Sequence, residues 1–177
     1  RPVLGPRARV LFVNDLSGDI DGLFAAAHMI LSRSVDLRGI IGTATFSPYF
    51  ADETAVRSAE LAQDMLRLMD RAGQVPVHVG SDKRMPGPST PVRSAGAEAI
   101  VAEAMRTDSA LPLYVAVGGG LNEVASALLI EPRIASRFTL VWIGGDALPG
   151  GTTGETNFNI DARAARYIYN ETALPVW

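Results

Sequence analysis

The chain has 177 residues, 47% hydrophobic and 20% charged, with a net charge of −3. That is enough apolar surface for one domain with a buried core. No run of Lys or Arg marks a nucleic-acid or anionic-membrane partner, the lack of cysteine excludes disulfides, thiolate catalysis and Cys-ligated zinc, and no apolar stretch is long enough to span a bilayer.

The stretch Arg1 to Arg9 has no apolar signal-peptide core, and a first residue other than Met leads us to expect that something before it was removed. From there, short apolar runs alternate with stretches of helical period. Strands are expected at Val10–Val13, Leu37–Gly42, Val75–Val79, Leu113–Val117 and Thr139–Ile143, each apolar enough to be buried on both faces. Pro76 marks the third as a strand start or an edge. Helices are expected from about Asp21 to Ser32, with Leu23, Ala27, Ile30 and Leu31 on one face, and from Glu53 to Asp70, with Val56, Leu61, Met65, Leu68 and Met69 on one stripe. Three more follow: Ala95 to Met105, Asn122 to Leu129 and Ala162 to Asn170. Ser81 to Ser94, with three prolines, is a connector. Gly144 to Asn159 is a long Gly-, Thr- and Asn-rich loop at a strand end, where function tends to sit. This alternation predicts an α/β fold, a mostly parallel open sheet with helices on both faces. Leu174 to Trp177 reads as the start of another strand, which leads us to expect a longer protein of which 1–177 is a part.

Three carboxylates follow the first strand: Asp15, Asp19 and Asp21, with Gly18 for a tight turn among them. Ligands of an open parallel sheet bind at the carboxyl ends of its strands. Crowded acids there repel one another, and a hard cation with oxygen ligands relieves the repulsion, Ca²⁺ first among them. The plainer alternative is that Asp19 or Asp21 caps the helix. Gly118-Gly119-Gly120 also joins a strand to a helix; it lets the backbone approach a ligand, or makes a tight turn with Asn122 as cap. No Gly-Lys-Ser/Thr follows, so it is not a P-loop. Asn157 and Asn159 flank Phe158 before the last helix and are suited to sugar hydroxyls, or else form a turn with Asp161 as cap. His28 and His78 read as structural, one on a helix and one in a strand.

Taken together these segments resemble the inosine-uridine-preferring nucleoside hydrolase superfamily, in particular a bacterial branch with a modified N-terminal motif. The superfamily runs a strand into Asp-x-Asp-Pro-Gly-x-Asp-Asp; here Val13-Asn14-Asp15-Leu16-Ser17-Gly18-Asp19-Ile20-Asp21-Gly22 is one residue longer. The likeness continues in order through Arg38–Thr43, Ala55–Met69, Val75–Gly80, Gly118–Ala125, Ile143–Gly145, Asn157–Asp161 and Ala173–Val176. It implies a nucleoside hydrolase-like fold with a Rossmann-like core, of which this chain is the N-terminal portion, and homo-oligomers. It also implies Ca²⁺ held by Asp15, Asp21 and the Leu121 carbonyl, with Asp15 as general base. Asp19 takes the place beside the family's ribose-binding aspartate, Asn159 that of a ribose-hydroxyl ligand, and Asn157 that of a Glu with a similar task. The family's first aspartate is Val13 here, and its ribose-contacting Asn is replaced near Thr45, Phe46 or Ser47. The last metal aspartate and the leaving-group histidine belong to a part of the family that lies past residue 177.

The implied reaction is calcium-dependent hydrolysis of the N-glycosidic bond of a ribonucleoside. A catalytically impaired nucleoside- or sugar-binding protein would keep Asp15 and Asp21 without the leaving-group acid. A phosphotransferase of the haloacid-dehalogenase kind needs Asp-x-Asp, and Ser17 stands at its second position.

Overall fold

The computed structural model describes residues 5–46, 53–145 and 154–177. Five parallel strands, β1 (Ala8–Asn14), β2 (Val35–Gly42), β3 (Val77–Val79), β4 (Leu113–Gly118) and β5 (Thr139–Trp142), form one sheet in the order β3-β2-β1-β4-β5. The chain winds outward from β1 through β2 to β3, then returns to the other side of β1 for β4 and β5. The direction of winding therefore reverses between β1 and β4, the place where such sheets open a crevice for ligands. The expected sixth strand begins as read: Val176 bridges Leu140 in parallel, and Trp177 N donates to Leu140 O at 2.9 Å.

Alternate residues of a strand face opposite sides, and helices cover both. Leu11 and Val13 of β1 join a core with Val115, Val117 and Leu140, closed by α3 (Ala95–Met105), α4 (Asn122–Ile130) and α6 (Ala162–Glu171). Phe12 faces the other way, into a smaller core with Ile40, Leu16, Ala26, Ala62 and Leu66 beneath α1 (Ile20–Leu31) and α2 (Thr54–Leu68). Among the described residues no helix is long and apolar enough to cross a membrane.

The helix faces differ in part from those expected: Leu23 and Ile30 of α1 and Leu61 and Met65 of α2 pack against the smaller core, but other members do not. In α2 the buried residues are Ala55, Ser58, Ala59, Ala62 and Leu66, whereas Val56 and Leu68 of the expected stripe are exposed. The small residues turn inward because α2 lies directly on the end of β2: a methyl at Gly42 would overlap the Ala59 nitrogen and sit 2.8 Å from the Ala55 carbonyl. In α1 the face against the sheet is centred on Gly22 and Ala26, and Leu31 is exposed. The third strand is shorter than read, starting after Pro76, whose carbonyl accepts from Ile40 N at 2.9 Å. The long loop after β5 holds a further helix, α5 (Thr156–Ile160); residues 146–153 of that loop, and Ser47, lie outside the described residues.

Candidate functional site

Asp15 is the first residue past β1 and is half-buried. Its carboxylate makes no hydrogen bond or ion pair with another described residue. Burial raises it from the usual carboxylate range to about 7; its own backbone amide opposes this, and the charges of Asp21 and Asp19 add to it. The three acids are thus close enough to interact, although Asp19 and Asp21 are exposed. The capping alternative fails for Asp19, which occupies the N-cap of α1 in extended conformation with no side-chain capping bond.

The three glycines after β4 serve close approach, since none has positive φ. Each gives room to a different element. A methyl at Gly118 would overlap Asn14 Nδ2. One at Gly119 would lie 2.9 Å from Thr43 Cγ2 and 3.5 Å from Asp15 Cβ. One at Gly120 would meet Ile160 Cβ at 2.9 Å. The glycine turn therefore runs beside Asp15, at the crevice between β1 and β4, and α5 is pressed against the turn. Trp142 Nε1 holds the Gly119 carbonyl at 2.9 Å.

Leu121 is the N-cap of α4, and its carbonyl accepts the first helical bond, from Ala125 N at 2.9 Å. One lone pair of that oxygen remains, the form in which a carbonyl can also serve a cation. Asn122, the expected cap, is inside the helix instead; its Nδ2 donates to Ser81 O and to Glu123 Oε1, both at 3.0 Å. Asn157 Nδ2 donates to Ile143 O at 2.8 Å, which ties α5 to the end of β5 and leaves the amide oxygen for another partner. The Asn159 carbonyl accepts from Arg84 Nη2 at 3.1 Å. Asp161 caps α6, accepting from Arg163 N and Ala164 N, and also takes Met85 N at 2.8 Å, so the capping reading holds for this aspartate.

One residue that the sequence did not single out stands under the turn. Glu123 is 1% exposed. Burial raises its carboxyl to about 7, opposed by hydrogen bonds from Thr43, Ser81 N and its own backbone and aided by the charge of Asp161. In sequence, a Glu in a helix's first turn looks like an ordinary dipole partner, and only the tertiary packing buries it.

The donors fit a hard cation in kind. Asp15 and Asp21 offer carboxylate oxygens without a partner among the described residues, and Leu121 offers a backbone oxygen, the hard donors such a cation prefers. Among the described residues no three His, Cys, Asp or Glu side chains are grouped closely enough to hold a metal ion by themselves.

No protein-family model and no curated protein matches this chain. Solved structures do match in fold. The inosine-uridine preferring nucleoside hydrolase from Bacillus anthracis superposes with a TM-score of 0.65 at 18% identity, over 96% of this chain and 63% of that one. The purine-preferring ribonucleoside hydrolase from Gardnerella vaginalis gives 0.67 at 17%, over 90% and 57%. The type III effector protein XopQ, complexed with adenosine diphosphate ribose, gives 0.67 at 18%, over 96% and 55%. The fold is that of the nucleoside hydrolases. The chain spans between 55 and 63% of the length of these three structures.

Proposed function

We propose that this site serves calcium-dependent hydrolysis of the N-glycosidic bond of ribonucleosides. The observation that carries the reading is the closeness of the glycine turn to Asp15 at the β1/β4 crevice of a nucleoside hydrolase-like fold. Asp15, Asp21 and the Leu121 carbonyl are the residues that would hold Ca²⁺, which when bound lowers the pKa of a coordinated water and anchors a ribose diol. Asp15, whose carboxylate has no polar partner among the described residues, would accept the proton of the water that attacks C1′. Asp19, with its uncapped carboxylate, and the Asn157 amide oxygen meet sugar hydroxyls from opposite sides of the crevice, with Asn159 beside them.

A second reading is a nucleoside- or sugar-binding protein with impaired catalysis, which would use the same Asp15, Asp21 and Asn157 oxygens. His28, exposed in the last turn of α1, and His78, beside Gly39 on the edge strand β3, stand outside the site in either reading. One structural neighbour is itself seen with adenosine diphosphate ribose.

Titration calorimetry with calcium and with ribose, beside a nucleoside hydrolysis assay, tests both. Calcium binding with turnover that Asp15→Asn reduces by about 10²–10⁴-fold, the usual worth of a general base, supports the hydrolase. Binding without turnover supports the binder. Failure to bind either ligand overturns both readings.

A further inference from the structure

We infer that Glu123 is a positioning residue that holds the two halves of the site together. Its carboxylate collects donors from three separate segments. Thr43 Oγ1, just past β2, donates to Oε2 at 2.7 Å. Ser81 N, two residues past β3, donates to Oε1 at 2.8 Å, and Asn122 Nδ2 of α4 donates to the same oxygen at 3.0 Å. Two of these partners, Thr43 and Asn122, lead directly to the site. Thr43 N donates to Asn14 O at 3.0 Å, one residue before Asp15, and Thr43 Cγ2 is the atom facing Gly119. Asn122 follows Leu121, whose carbonyl is the backbone donor of the proposed function on which this inference rests.

The fold makes room for the carboxylate. A methyl at Gly80 would overlap Oε1 and lie 2.9 Å from Cδ, and one at Gly96 would lie 3.4 Å from Cγ. No Lys or Arg among the described residues pairs with it. A buried carboxylate without a cation is a costly way to fill a core position, and an apolar side chain of similar volume is commonly neutral or stabilising there. What a leucine would lack is the set of three directional bonds. These bonds fix the Gly119–Leu121 turn against the backbone of Asp15.

The test uses the full chain with Glu123→Leu, Glu123→Gln and Thr43→Val. Two readouts are taken: calcium affinity by titration with the metal alone, and amide hydrogen exchange without metal. Removal of a group that orients metal ligands typically costs 10–100-fold in affinity. Glu123→Leu is expected to fold and to weaken calcium binding by about that factor. Glu123→Gln, which can accept from Ser81 N and donate to Thr43 Oγ1, is expected to restore affinity to within about threefold of the original. Thr43→Val is expected to weaken it, and to add little when combined with Glu123→Leu. Exchange is expected to quicken at 119–122 and at Asp15, and to stay unchanged at the opposite end of β1. Unchanged exchange at 119–122 in both Glu123→Leu and Thr43→Val overturns the proposal, as does unchanged affinity in both. Should Glu123→Leu fail to fold, Thr43→Val decides alone. If the unaltered chain binds no calcium while exchange responds as described, the calcium reading fails and the clamp stands.

Discussion

Asp15 shows how one residue can set function against stability. In the metal-free protein its carboxyl is held near pH 7, whereas in an unfolded chain it ionises from about 3.8. Between these values the folded state binds the extra proton, so this group's contribution makes stability fall as pH rises from about 4 to 7. Asp15→Asn removes the charge without changing the shape. We therefore expect the metal-free variant to melt higher than the parent at pH 8 by a few degrees, about 2–4 °C for each kcal/mol in a chain of this size. That advantage should vanish at pH 4. Calcium should reverse the order at pH 8, because a ligand that binds only the folded parent adds about 2.7 kcal/mol at a hundred times its Kd. Thermal melts at both pH values, with and without calcium, check each part. The position of Asp15 was legible in the sequence, since an acid directly after an apolar strand has nowhere else to go. Its lack of a partner among the described residues was not.

Among the elements, α2 shows best why periodicity alone misplaced the centre of the buried face: Leu61 and Met65 do pack against the smaller core, at its margin. Larger apolar residues at Val56, Leu61, Met65, Leu68 and Met69 suggested the buried stripe, but the small residues Ala55, Ser58, Ala59 and Ala62 face the sheet. Gly42 makes this possible, because the helix backbone rests where a side chain would be. Gly42→Ala should force α2 away from the end of β2 and cost about 1–3 kcal/mol, the usual penalty of overpacking. A urea midpoint reports that loss, and a midpoint unchanged from the parent would mean that α2 is not seated there. In the same way, the glycine triplet was visible as a backbone-approach motif, yet the three partners that approach it come from β1, β2 and α5. No local pattern could name them.

At the scale of the whole molecule, the two ends of the sheet are built differently. The carboxyl ends carry the acids of the site, which pair with no Lys or Arg among the described residues, while the amino ends are tied by ion pairs around Glu103 of α3. Arg9 of β1 lies 2.7 Å from Glu103 Oε1 and also reaches the Glu103 and Leu111 carbonyls. Arg106 and Arg38 stand 3.2 and 3.4 Å from the same carboxylate. A register shift between Val10 and Leu11 skips Arg38 in the β1–β2 pairing, and such an irregularity is a common means of re-aiming a side chain. Arg9 is buried, so Glu103→Ala leaves a buried guanidinium without its counter-charge and should cost about 3–5 kcal/mol. Replacing Arg9 and Glu103 together by methionine should cost much less. Denaturation of the single and double variants measures the difference, and equal losses would refute this account.

The sequence by itself determined the alternation of strands and helices, the placing of three acids after the first strand, and the glycines where β4 turns into α4. Those features follow from local patterns: runs of apolar residues, helical period, and residue types that tolerate close backbone approach. Tertiary structure alone decided which face of each helix is buried, that α5 lies in the loop after β5, and that Glu123 sits in the interior beneath the glycine turn. These depend on how near separate strands and helices come to one another. Such distances are set by packing between residues far apart along the chain, and neighbours in sequence carry no record of them.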